Sequence, residues 1–223
     1  PFPIACKELA KKYLNEDIED DYKPSKEDEE KQKEKESLQI ILSYAQEFYV
    51  QCIHEVNPAA NKARETVRKR WGADAIERFG IGYAPRDGFI EWAMRKGLDF
   101  DLLEQVGLIG IGERGKYAML RDRYTIPIYD KMSNVIGFTA RTMSDDKDIC
   151  KYLNLKNSLV YAKDKSVFGI NFAQKEARLK NKFYLVEGAP DVVKLQSLEI
   201  LNTVASLGGA WTENQLKQLY HIC

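Results

Sequence analysis

Between residues 38 and 56 the apolar positions step by three and four: Leu38, Ile41, Leu42, Ala45, Phe48, Tyr49, Cys52 and Ile53. That stripe predicts an amphipathic helix with one buried face, ended by Pro58. A second helical stretch covers residues 60–69 and continues over 73–79 after a break at Gly72. The glycine- and proline-rich segment GIGYAPRDG then reads as a turn. FIEWAMRKG and DFDLLEQVGLI predict two short helices, with Gly97 and Gly107 as their C-terminal caps. Downstream the period changes. YTIPIYD and NVIGFTARTM, joined by the polar residues Lys131 to Ser133, predict a β-hairpin at which the sheet is expected to start.

Residues 182–223 carry the most regular pattern: strand KFYLV, helix PDVVKLQSL, strand ILNTVAS and helix ENQLKQLY. This is a βαβα unit, and about a dozen residues between its strands suit a parallel crossover through one helix. Thr212 followed by Gln215 predicts a capping box on the last helix. At the other end, ACKELAKKY keeps Ala5, Leu9 and Tyr13 at helical spacing. The stretch EDIEDDYKPSKEDEEKQKEKES, almost without apolar residues and interrupted by a proline, reads as a solvated linker over residues 16–37.

Composition narrows the class. With 223 residues and 44% hydrophobic content the chain can bury a sizeable core. No apolar run approaches the roughly 20 residues of a membrane span, and no export signal is visible, so a cytoplasmic protein is expected. Cys6, Cys52, Cys150 and Cys223 form no CxxC pair, and only His54 and His221 could join them. A zinc site within the chain is therefore not expected, and four free thiols are. Formal charge balances at 34 basic and 34 acidic residues, but unevenly along the chain. Residues 16–37 hold eleven acids against five lysines and repel phosphate; residues 141–182 hold ten basic groups against five acids and would attract a polyanion.

The chemistry-bearing residues lie where the second half turns from strand to helix. Glu187 and Asp191, in VEGAPDVV, follow a strand and open a helix, the place where α/β sheets present ligands. A magnesium ion at a nucleotide site takes one or two carboxylates and completes its octahedron with waters and phosphates. The plainer reading makes Asp191 a first-turn acid favoured by the helix dipole and Glu187 a surface acid.

Strand, EGAPDVV, helix, strand ending ASLG, helix together resemble the start of a TOPRIM domain. The upstream blocks RFGIGYAP, RDRYTIPIYD, VIGFTART and KYLNLKNSLVYAKDKSVFGI resemble, in order and spacing, those of bacterial DnaG-type primases, from about Leu38 to Tyr220. The resemblance implies an α+β fold: a helical N-terminal segment, a mixed α/β primase subdomain, then the first βαβα of a TOPRIM domain. The corresponding divisions are 1–37 (end of a connector helix plus charged linker), 38–181 and 182–223. It implies a nucleotidyltransferase, a DNA-directed RNA polymerase of the primase type that makes short RNA primers on single-stranded DNA with Mg²⁺ or Mn²⁺. Expected partners are template, NTPs and nascent RNA, with a replicative helicase contacted through a domain outside the chain.

Residue by residue, the resemblance assigns catalysis to Glu187 and Asp191, with Glu187 as a metal ligand. It assigns nucleic-acid or nucleotide contacts to Arg121, Arg123, Arg141, Lys151, Tyr152, Asn154 and Lys163, with Arg70 a weaker match. Arginine forks and lysine charges suit phosphates, and Tyr152 could stack on a base. The family's remaining metal ligands, an acidic DxD pair, would fall beyond Cys223, and its zinc module would precede the chain. The isolated chain is therefore expected to be inactive. Ala189 and Pro190 replace a usually bulkier pair, and proline in a first helical turn is benign. The alternatives are a nucleic-acid or nucleotide binding module without catalysis, or another TOPRIM enzyme such as a topoisomerase or nuclease.

Overall fold

All eight residues of the first apolar stripe are buried along one face of helix α1 (Lys26–His54). The computed structural model describes residues 9–13, 25–113, 115–144, 146 and 148–223. They fall in two units, Pro1–Glu34 and Lys35–Cys223. In the first, residues 9–13 are helical; Ala5, the acids at 16–21 and Lys23 lie outside the described residues, as do Arg114, Asp145 and Lys147. The linker expected up to residue 37 is corrected from Lys26 onward, where the chain is helical. The reason is a reciprocal cap. The Asp28 amide donates to the Ser25 hydroxyl at 3.1 Å, and the Ser25 amide donates to the Asp28 carboxylate at 3.1 Å. The Ser25 hydroxyl also donates to the Asp28 carboxylate at 2.7 Å, and this bond first, then that from the Ser25 amide, holds the Asp28 carboxyl below its ordinary range.

In the second unit, Asn57 caps α2 (Pro58–Trp71), with Pro58 at the helix start. Gly72 ends it, and α3 (Ala75–Phe79) follows. The segment read as a turn contains a strand, β1 (Gly82–Ala84), so the sheet begins upstream of the expected hairpin. Glycine is required there. A Cβ on Gly82 would lie 2.6 Å from the Tyr49 backbone carbon, because β1 runs directly against α1. The two short helices α4 (Phe89–Arg95) and α5 (Phe100–Gln105) are present, and Gly97 and Gly107 follow them at φ 67° and 77°.

β2 (Ile109–Gly112) and β3 (Gly115–Ala118) form a separate hairpin. The expected hairpin is β4 (Arg123–Tyr129) with β5 (Val135–Thr142). β6 (Tyr152–Asn154) adds to β5, giving an antiparallel sheet in the order β1-β4-β5-β6. β4 is buried on both faces, unlike an alternating surface strand.

The second sheet starts earlier than residue 182, with β7 (Val167–Phe168). After α6 (Ile170–Lys180) come β8 (Tyr184–Val186), α7 (Ala189–Ser197), β9 (Thr203–Ser206) and α8 (Glu213–Tyr220). The order is β7-β9-β8, with β8 and β9 parallel across the α7 crossover. Thr212 and Gln215 make the capping box on α8. Val192 and Val193 of α7 join the main core, while Ile170, Ala173, Val204 and Leu219 form a smaller core between α6, α8 and the sheet. Two bonds attach α2 and α3 to α7 and to the turn that follows it. The Trp71 indole donates to the Pro190 carbonyl at 3.1 Å, and Arg78 pairs with Glu199 at 2.8 Å.

Candidate active-site cleft

The parallel strands β8 and β9 run in the same direction, so the residues after each of them emerge at one edge of the second sheet. After β8 come Glu187 and Gly188, then Asp191 in the first turn of α7. After β9 come Leu207 and Gly208, where the Ser206 hydroxyl donates to the Gly208 carbonyl at 3.0 Å. These residues form one wall of a cleft of about 370 Å³. The other wall comes from elsewhere in the chain: Arg70 in the last turn of α2, Thr139 of β5, and Tyr152 and Asn154 of β6. Thr139 and Asn154 face each other in the β5–β6 register.

Glu187 and Asp191 are exposed within this cleft and share it with Arg70. Among the described residues no group of three or more histidines, cysteines or acids gathers as a metal centre. The two carboxylates, with hydroxyls and open space beside them, fit part of a magnesium shell completed by waters and phosphates. Cys52 is buried, Cys150 exposed and Cys223 partly buried, all three free; Cys6 lies outside the described residues.

Behind Tyr152 lies an aromatic and cationic cluster. The Arg141 guanidinium is 5.9 Å from the Tyr152 ring centre and 6.0 Å from that of Tyr124, and Arg141 stands opposite Tyr152 in the register. Its Nε is buried and finds no hydrogen-bond partner among the described residues, an open donor beside the cleft. The Tyr124 phenol is pushed up to about 12, by burial first and the Tyr152 phenol next, against the opposing pull of Arg141 and Arg70. Trp71 packs edge-on to Tyr124 at 5.7 Å, and the Arg70 guanidinium lies 5.2 Å from the Trp71 ring.

The remaining expected residues divide. Lys163 reaches the rim: its Cε lies 3.8 Å from where a Cβ on Gly208 would stand. Arg123 is only 7% exposed and donates to the carbonyls of Ala140 at 3.4 Å and Lys151 at 3.3 Å. Its guanidinium, held by burial below its ordinary pKa, braces the sheet instead of presenting a surface fork. Lys151 is exposed one residue before β6 and does not line the cleft. Arg121 lines a different depression of about 240 Å³ with Arg86 and Lys116. Thr139, Ser206 and Gly208 were not singled out in the sequence, although ASLG ending a parallel strand marks the last two.

A family model described as the DNA primase catalytic core, N-terminal domain, matches residues 48–174. A DNA primase of Pseudomonas putida is 33% identical over 234 residues, covering 99% of this chain and 34% of that protein. One of Chlamydia pneumoniae is 28% identical, covering 83% and 31%. The chain thus spans about a third of the length of the curated relatives it matches. The RNA polymerase domain of Mycobacterium tuberculosis primase DnaG superposes with a TM-score of 0.77 at 31% identity, covering 83% of this chain and 60% of that one. A DnaG primase catalytic domain bound to ssDNA gives 0.75 at 31% identity, covering 85% and 61%. No helix among the described residues is long and apolar enough to cross a membrane.

Proposed function

The chain belongs to the DNA primase catalytic-core family, and from that membership we propose that its cleft holds single-stranded DNA and ribonucleotides during primer synthesis. The observation that carries this reading is one cleft joining Glu187 and Asp191 to Arg70, Tyr152 and Asn154. Phosphoryl transfer asks for acids to hold cations and for cations to hold phosphates, and both line the same walls. The relatives are named as DNA primases, and one related catalytic domain is described as bound to ssDNA.

Glu187 and Asp191 would contribute carboxylate oxygens to Mg²⁺ or Mn²⁺, which when bound neutralises charge on the transferring phosphate. Arg70 and Lys163 take strand or nucleotide phosphates, Tyr152 offers a ring face to a base, and Asn154 a polar contact. Arg141 holds Tyr152 in place from behind and keeps one donor open. Arg123 acts indirectly, through the sheet that carries Tyr152. Two carboxylates are few for a two-ion centre, so this chain alone is expected to bind nucleic acid without making primers. The helicase contact and a zinc module are proposals for the longer relatives' remaining length. A binding module without catalysis remains the second reading, favoured by the same sparse donor set.

Salt titration of single-stranded DNA binding tests this. Arg70→Ala should weaken binding and reduce the slope of log affinity against log salt by about 0.7. Tyr152→Ala should weaken binding with little change in slope. Parental binding by both variants would remove the cleft from consideration.

A further inference from the structure

Beyond the cleft, the four successive carbonyls of residues 163–166 are all pinned by side chains of α8 and its cap. The Thr212 hydroxyl donates to Asp164, Gln215 to Lys163 at 3.1 Å and to Ser166 at 2.8 Å, and Gln218 to Lys165. Gln215 is 1% exposed, so this clamp is built into the fold. It fixes a loop that carries two lysines. Lys163 stands at the rim of the cleft beside Gly208, while Lys165 lines a second cavity of about 350 Å³.

That second cavity is open to anions. Lys131, in the β4–β5 turn, lines it with Lys165, and Arg178 of α6 lies close enough to repel the Lys131 ammonium. Burial first and Arg178 second hold Lys131 below the ordinary lysine range. None of the three cations is in an ion pair among the described residues. The acid in the cavity wall, Asp130, accepts hydrogen bonds from the Met132 amide and from the amide and side chain of Asn134. The cavity keeps a net positive charge, and a bound phosphate would relieve the repulsion between Lys131 and Arg178.

We propose that this cavity is a second phosphate-binding site, at which Lys131 and Lys165 take the backbone of a nucleic-acid strand continuing past the cleft along the clamped loop. The proposal rests on the reading of the cleft as a nucleic-acid site. It makes the loop a bridge between two contacts, so the strand must be long enough to reach both.

Length dependence is the test. Binding of single-stranded DNA of about 6 and about 24 nucleotides brackets the usual span of one site. The variant Lys131→Ala with Lys165→Ala should bind the long strand about tenfold more weakly, with a salt slope smaller by about 1.4, and bind the short strand as the parent does. Arginine at both positions should restore long-strand binding, which separates lost charge from lost folding. Parental affinity and slope for the long strand in the alanine variant overturn the proposal, while the cleft reading survives if short-strand binding still needs Arg70 and Tyr152. Loss of inorganic pyrophosphate binding without any loss on the long strand also overturns it, assigning the cavity to free phosphates. A parent protein that binds neither strand ends both readings.

Discussion

Glu187 is exposed at a strand end, so removing its charge touches little packing. Glu187→Gln should leave thermal stability unchanged while weakening Mn²⁺ binding to this chain, read by titration of the paramagnetic ion. In a full-length primase carrying this core, primer synthesis should fall by at least about a hundredfold. Near-parental turnover would return Glu187 to the status of a surface acid. Arg123 teaches the opposite lesson. The family resemblance assigned Arg121 and Arg123 alike to nucleic-acid or nucleotide contacts, yet Arg123 opens a strand buried on both faces and satisfies backbone carbonyls inside the sheet. Residue type announced a cation at both positions; only the pairing of β4, β5 and β6 distinguishes the brace from the exposed Arg121.

The elements readable in advance were those with a long or well-punctuated pattern. The α1 stripe, the β4–β5 hairpin, the βαβα unit and the α8 capping box all carried such signals. β6 and β7, three and two residues long, hold too few positions to reveal a period. α6 buries Ile170, Ala173 and Ala177, a face mostly of alanines whose small side chains give only a weak apolar period. The first turns of α1 are almost all charged and carry no apolar period, so only the Ser25–Asp28 cap marks its start. The cap on α8 matters for the lysine loop as well as for the helix. Thr212→Ala should cost about 1 kcal/mol of stability, and hydrogen exchange of residues 163–166 should quicken. Unchanged exchange there would mean the loop is held without Thr212.

For the whole molecule, one core reaches from α1 through the first sheet to α7, so several phenols are interred together. Burial pushes Tyr124, Tyr161 and Tyr83 up to about 12, the last helped by Asp122, and raises Tyr49 too. Each keeps its proton in the folded state when the unfolded chain has already lost it. Above pH about 10, where free tyrosine ionises, the unfolded state binds fewer protons, so stability falls as pH rises. Denaturant midpoints should drop steeply between pH about 10 and about 12, and Tyr161→Phe should flatten that decline. A midpoint indifferent to pH across this window would mean the phenols ionise freely in the folded protein.

The indole of Trp71 is held between the Pro190 carbonyl of the cleft wall and the ring of Tyr124. A ligand that shifts either wall must change the polarity around that chromophore. Among the described residues, Trp71 carries this bond between α2 and α7, while Trp92 packs among the phenylalanines against α1. The protein therefore contains its own fluorophore at the junction of its two sheets. Ligand entry into the cleft could be followed by emission, without attaching a dye.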